Sequence, residues 1–193
     1  MRIEVLFGGI GGQGIRLMGD ILAATIVEEL DMYATLVLRY TPEVRGGTIH
    51  VEVVISDEPI DYPRVFAPDI TIILHEKSYL EDQEVMEAVH EVLNAIKNRY
   101  IISDSRLAVH GPGIHLDLSG EASKIGERAY NMLALGVAVG LLKKLGVPIE
   151  IEHVINVVKR KIRRNLEQNI AALKRGFELA SQTTLGEGSR GSL

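Results

Sequence analysis

The sequence predicts an α/β fold of three layers, with a mostly parallel sheet, helices on both faces and a helical C-terminal region, from three observations. A short apolar run ends in closely spaced glycines that open into an amphipathic helix. Further apolar runs of strand length alternate with segments of helical period, and the final third of the chain carries helical periodicity alone. Element by element, Ile3-Glu4-Val5-Leu6-Phe7 is the first strand and Gly9-Ile10-Gly11-Gly12-Gln13-Gly14 the turn after it. Gly9, Gly11 and Gly14 fit G-x-G-x-x-G, and Ile15, Met18, Ile21, Leu22, Ile26 and Leu30 share one face of the next helix. Strand, turn and helix therefore come in the order of a Rossmann-like phosphate-binding unit.

Ala34 to Arg39 reads as the second strand. Thr48 to Ile55 is the third, where His50, Glu52 and Val54 alternate with apolar neighbours and predict a half-exposed strand. Asp69 to Leu74 is a short continuous apolar run, as in a strand covered on both faces near the sheet centre. A helix carrying Val85, Val89, Val92, Leu93 and Ile96 precedes a strand from Arg99 to Ser103, and helices between strands imply parallel crossovers. Ala108 to Ser119, with its His110-Gly111-Pro112-Gly113, reads as a loop with a short strand, and the chain turns helical from Ser123. Met132 to Leu142 is a buried helix in which Gly136 and Gly140 permit close backbone approach by another element of the same core. One amphipathic helix carries Ile151, Val154, Ile155, Val158 and Ile162, and another Leu166, Ile170, Leu173, Phe177 and Ala180. Asn165 and Gln168 have the spacing of an N-cap and its capping-box partner. Residues 1–182 read as a single α/β domain, and the Gly- and Ser-rich stretch 183–193 as a disordered tail.

Composition excludes several function classes. The 193 residues are 46% hydrophobic and 24% charged, enough for a proper core. The net charge of -5 argues against general affinity for nucleic acid or an anionic membrane. With no cysteine, the chain offers no disulfide, thiolate nucleophile or cysteine-held iron–sulfur cluster. The longest apolar stretch is too short for the ~20 residues of a membrane-spanning helix, and no secretory signal precedes the first strand, which points to the cytoplasm. The six histidines show no metal-ligand spacing, so no metal is assigned. No G-x-S-x-G elbow occurs, and the basic cluster from Lys159 to Arg164 reads as a solvated helix face.

Two constellations carry chemistry. An NAD site places an acidic residue about 20 positions beyond the glycines, at the end of the second strand; this chain has Arg39 there. Arginine suits an extra phosphate, as on NADP or at the 3′ position of coenzyme A, and equally suits a snorkelling strand end. The second constellation is Tyr40-Thr41-Pro42-Glu43-Val44-Arg45-Gly46-Gly47, placed by a parallel sheet on the same edge as the glycine turn. Pro42 stiffens it, Gly46 and Gly47 permit positive φ, and Glu43 with Arg45 can hold a ligand, a neighbouring subunit or only each other.

Together these stretches resemble the gamma subunit, or gamma domain, of the 2-oxoacid:ferredoxin oxidoreductases, marked by G-x-G-G-Q-G near the N-terminus and Y-x-P-E-x-R-G-G after the second strand. The resemblance continues through Ile55-Ser56-Asp57, Ile60-Asp61-Tyr62-Pro63, Pro68-Asp69, Asn131, Leu135-Gly136, Asn165 and Gly176, to about Ala180. It implies a multi-subunit enzyme that decarboxylates a 2-oxoacid, transfers the acyl group to coenzyme A and reduces ferredoxin. The 55–63 stretch looks like the 2-oxoglutarate branch, with pyruvate and branched-chain or aryl 2-oxoacids left open as substrates. Thiamine diphosphate, magnesium and iron–sulfur clusters are then expected on partner alpha, beta and delta subunits, and an isolated gamma chain is inactive. The resemblance places coenzyme A binding, subunit packing or both at Gly9, Gly11, Gly12, Gln13, Gly14, Arg39, Tyr40, Glu43, Arg45, Gly46 and Gly47, with no catalytic residue on this chain. Two other readings of the same residues stand beside it: a stand-alone NADP-binding oxidoreductase or regulatory module, and a purely structural subunit.

Overall fold

The computed structural model describes residues 1–40, 47–80, 100–107, 114–126 and 129–183. Strand β1 (Arg2–Ile10) runs into the glycine turn and helix α1 (Ile15–Glu28) leaves it. Strands β2 (Tyr33–Tyr40), β3 (Thr48–Ser56) and β4 (Ile70–Ile73) follow, then a short helix α2 (Glu76–Leu80), β5 (Tyr100–Asp104) and β6 (Ile114–Leu116). The C-terminal region is helical: α3 (Leu118–Ile125), α4 (Tyr130–Lys144), α5 (Ile151–Lys161) and α6 (Leu166–Gln182). The helix expected over 85–96 lies outside the described residues. Of the tail only Thr183 is described; it is buried, and its carbonyl accepts from the Lys144 ammonium.

The six strands are ordered β2-β3-β1-β4-β5-β6. Pairs β1–β4, β4–β5 and β5–β6 are parallel, while β3 runs antiparallel to both β1 and β2. The sheet is therefore mixed, which corrects the expectation of a mostly parallel one at β3. The reason is chain length: only residues 41–47 separate β2 from β3, and a parallel crossover needs a dozen residues or more. Because β3 runs down and β2 up, the C-terminal ends of β1 and β2 still share one edge. β4 lies inside the sheet with all four residues buried, as its apolar run predicts.

Directly opposed residues of antiparallel strands point to the same face. One face of β1, β3 and β2 thus carries Ile3, Val5 and Phe7 with Ile55, Val53 and Val51 and with Ala34, Leu36 and Leu38, and α1 packs on it through Gly19, which sits against Val51 and Leu36. The other face carries Glu4, Glu52 and His50. Here the expectation of a half-exposed β3 fails: His50 and Glu52 are 3% and 2% exposed. The segment after β3 folds back over them, with Arg64 donating to both oxygens of Glu52 at 2.7 Å.

The C-terminal helices bury one another by direct backbone contact. A Cβ on Gly136 of α4 would lie 2.1 Å from the Leu173 carbonyl oxygen of α6, and one on Gly176 would lie 1.9 Å from the Leu133 carbonyl oxygen. The close approach read from Gly136 and Gly140 is thus made inside the core. Asn165 does immediately precede α6, but its φ of 53° turns its side chain away from the cap and no capping hydrogen bond forms. A capping box occurs instead at α5, where the Glu150 N–H donates to His153 Nδ1 at 3.1 Å. Among the described residues no helix is long and apolar enough to cross a membrane.

Candidate functional site

The glycine turn is built from the backbone outward. Gly12 and Gly14 take φ of 92° and 77°, left-handed conformations costly for other residues. Gly14 is the N-cap of α1, and a Cβ there would lie 2.2 Å from Asn131 Nδ2. The chain therefore needs glycine at this position twice, for dihedral and for space. The first turn of α1 holds no acidic side chain, so the positive end of its dipole faces the crevice without a local counter-charge.

Gln13 is a brace. Its Oε1 accepts from Ile10 N–H at 2.9 Å and its Nε2 donates to the Leu74 carbonyl at 3.1 Å, tying the end of β1 to the end of β4. Gly9 leaves room for it, since a Cβ there would lie 2.6 Å from Gln13 Oε1. At this edge the chain leaves β1 towards β2 on one side and leaves the neighbouring β4 towards β5 on the other, the type of place where open α/β sheets bind ligands.

The two sequence motifs meet at this edge. Gly11 N–H donates to the Gly47 carbonyl at 3.2 Å. Register places Gly8, His50 and Arg39 in one row across β1, β3 and β2, and Gly9, Ile49 and Tyr40 in the next. Arg39 is exposed, and Tyr40 is 71% exposed at the rim. Glu43, Arg45 and Gly46 lie outside the described residues. Gly9, Gly11, Gly12, Gln13, Gly14, Arg39, Tyr40 and Gly47 are thus gathered at one end of the sheet.

The same edge holds side chains that sequence patterns did not single out as a site. Asn131, at the start of α4, covers Gly14 with its amide while its Oδ1 accepts from Met132 N–H at 2.9 Å. The neighbouring Tyr130 hydroxyl lies 3.4 Å from the Leu74 carbonyl. Burial first, then the Asp104 carboxylate, push this phenol above its ordinary pKa of 10. Asp104 is itself buried at the end of β5 and accepts from Arg106 N–H at 2.9 Å and Ser119 N–H at 2.7 Å. These residues are more than 50 positions from the glycine turn; the crossing of α4 over the sheet edge brings Tyr130 and Asn131 there, and the parallel pairing of β5 with β4 brings Asp104 to the same end of the sheet. Asn131 belongs to the stretch that carries the family resemblance, which was the one available signal. Among the described residues no three His, Asp or Glu side chains cluster as metal ligands would.

The edge thus offers backbone donors, a helix N-terminus and a cationic strand end, a set suited to binding an anionic group. Comparison with known proteins bears on which group. Residues 4–179 match the family described as pyruvate ferredoxin/flavodoxin oxidoreductase. The 2-oxoglutarate synthase subunit KorC of Methanocaldococcus jannaschii is 31% identical over 183 residues, covering 94% of this chain and 96% of the relative. The structure of the gamma subunit of a keto/oxoacid ferredoxin oxidoreductase from Geobacter sulfurreducens superposes with a TM-score of 0.73 at 25% identity, covering 94% of this chain and 99% of that one. The 2-oxoglutarate:ferredoxin oxidoreductase of Magnetococcus marinus, solved with 2-oxoglutarate, coenzyme A and succinyl-CoA bound, shares the fold at a TM-score of 0.73 and 20% identity, over 95% of this chain but 32% of that one. On the family match and the relative that spans its length, the chain belongs to the pyruvate ferredoxin/flavodoxin oxidoreductase family, as a gamma subunit of a multi-subunit 2-oxoacid:ferredoxin oxidoreductase.

Proposed function

We propose that the edge formed by the glycine turn, Arg39, Tyr40 and Gly47 is this subunit's contribution to coenzyme A binding, in a cytoplasmic complex that oxidatively decarboxylates 2-oxoglutarate and reduces ferredoxin. The observation that carries it is the joining of the two motifs by the Gly11 to Gly47 hydrogen bond, with Arg39 two strands away in the row next to Gly9. Backbone N–H groups and the α1 N-terminus suit a diphosphate, and an exposed guanidinium on the rim suits a further phosphate monoester. Supporting the ligand and substrate are the KorC relative's name and the molecules bound to the Magnetococcus enzyme of the same fold. The chemistry itself falls to companion alpha, beta and delta subunits: thiamine diphosphate with magnesium would supply the decarboxylation, and iron–sulfur clusters the electron path that a cysteine-free chain cannot hold. Glu43, Arg45 and Gly46 complete the proposed site. The test is the KM for coenzyme A and for 3′-dephospho-coenzyme A in the assembled enzyme carrying Arg39→Ala. A loss confined to the form with the 3′-phosphate supports the reading. Equal KM values for both forms in wild type and variant would refute Arg39 as the phosphate partner.

A further inference from the structure

The Ile60-Asp61-Tyr62-Pro63 stretch lies far from that edge, and the structure spends an unusual share of its buried charge on the segment containing it. Glu4 is buried; its Oε1 accepts from Arg2 Nε at 2.8 Å and its Oε2 from the N–H groups of Phe66 and Ala67 at 2.6 and 2.7 Å. Glu52 takes the Arg64 guanidinium and the Val65 N–H at 2.9 Å. Arg2 donates to the carbonyls of Tyr62 at 3.1 Å and Arg64 at 2.9 Å. Three successive amides and two carbonyls of an irregular segment are thus fixed by charged groups.

What this scaffold holds in place is apolar and open to solvent. Phe66 is 76% exposed, the highest value among the exposed large hydrophobic residues described, with Tyr62 at 57% and Met1 at 43% beside it. With Pro59 and Ile60 they line a groove of about 590 Å³. Burial of this kind of surface is the usual reason for presenting it rigidly. The cations nearby are spent internally, Arg2 on Glu4 and the Met1 amine on Asp57. Glu58 and Asp61 are exposed on the groove and make no ion pair among the described residues.

We infer that this groove docks a companion subunit of the enzyme through an apolar side chain flanked by Lys or Arg. The acidic rim selects that chemistry, and it disfavours a second copy of this chain, because a two-fold contact sets each patch against itself and would oppose carboxylates to carboxylates. In the Magnetococcus chain the same fold accounts for 32% of the polypeptide, so there it is one part of a larger chain. The groove lies at the start of β1 and the glycine turn at its end, about 26 Å apart at ~3.3 Å per residue, so docking leaves the crevice open. The inference rests on membership of a multi-subunit enzyme and not on the coenzyme A reading.

The experiment dilutes the assembled, tagged complex and reads subunit dissociation by mass photometry. Tyr62→Ser with Phe66→Ser, and separately Glu58→Lys with Asp61→Lys, should each raise the apparent dissociation constant at least tenfold, while Val27→Ser, exposed on α1, leaves it unchanged. The charge-reversal pair keeps the test decisive if the serine pair fails to fold. Wild-type dissociation in both variants overturns the inference, as does a dimer of the isolated chain that Phe66→Ser abolishes. Such a failure leaves the KM for coenzyme A untouched, whereas failure of the crevice reading appears only in that KM.

Discussion

Alanine at Gly11, Gly12 and Gly14 separates what the turn does for the fold from what it does for a ligand. Gly14→Ala imposes a left-handed φ of 77° on a residue with a Cβ and drives that Cβ to 2.2 Å from Asn131 Nδ2. The dihedral costs about 1–2 kcal/mol, and moving the amide loses the hydrogen bond from Met132 N–H to Asn131 Oδ1, about another 1 kcal/mol. The expected sum is about 2–3 kcal/mol, or about 5–10 °C in melting temperature for a chain of this size. Gly12→Ala carries the dihedral cost alone, since no described atom lies within 4 Å of its Cβ position. Gly11 has neither positive φ nor a described neighbour within 4 Å, so Gly11→Ala should stay within about 0.5 kcal/mol of wild type. On the proposed coenzyme A site, its methyl group would stand where a diphosphate approaches the backbone. The KM for coenzyme A in the assembled enzyme should rise about tenfold or more, ~1.4 kcal/mol, with the melting temperature unchanged. Thermal unfolding of each purified variant and coenzyme A titration of each complex are the two readouts. An unchanged KM in Gly11→Ala would refute close approach of the ligand to the turn, and a wild-type melting temperature in Gly14→Ala would refute the packing argument.

Other expectations rest on the core. Burial alone would raise the Glu52 carboxyl, but the His50 imidazole 3.6 Å away and the hydrogen bonds from Arg64 and the Val65 N–H outweigh it and hold the pKa at about 2 instead of 4.5. At ~1.4 kcal/mol per unit this contributes about 3 kcal/mol, fully present above pH 4.5 and lost as pH falls toward 2. Glu52→Gln should therefore destabilise the chain at pH 7 by about 3 kcal/mol, and denaturant curves of variant and wild type should converge in acid; a gap independent of pH would sink the account. Gly176→Ala drives a Cβ into the Leu133 carbonyl and should cost about 1–3 kcal/mol by thermal unfolding; a wild-type melting temperature is incompatible with the packing described. Tyr130→Phe removes the hydroxyl's contacts with the Leu74 carbonyl and Asp104 while Asp104 keeps its backbone donors, so about 1 kcal/mol is expected. The spectroscopic titration of wild type should retain one tyrosine protonated well above pH 10.

Much of the first unit is legible in the sequence, because a strand, a glycine turn and a 3.6-residue apolar period are local signals. The direction of β3 was legible too, in the short link after Arg39, once crossover length is set against it. His50 and Glu52 misled because alternation measures polarity and cannot see that Arg64, 12 residues downstream, would partner Glu52 in the interior. Gly136 announced a close contact but not its counterpart, since Gly176 lies 40 residues away and the two meet only through the helix pair. Asn165 sits at a helix start with the right residue type, and its left-handed backbone still prevents the cap. Asn131 and Tyr130 could not be placed at the crevice by any local rule.

The reversed strand has a consequence for how the molecule comes together. β2 and β3 are neighbours in sequence and pair with each other, whereas β1 meets β3 with Arg2 opposite Ser56, at a far greater separation along the chain. Loop closure favours the local hairpin, which forms on the order of 1–10 μs in isolated segments. β1 is then expected to add to an existing template and to bring the glycine turn to Gly47 as it docks. On that order of events the edge that gathers the two motifs is completed late, and a newly made chain acquires it only when its long-range pairing is in place.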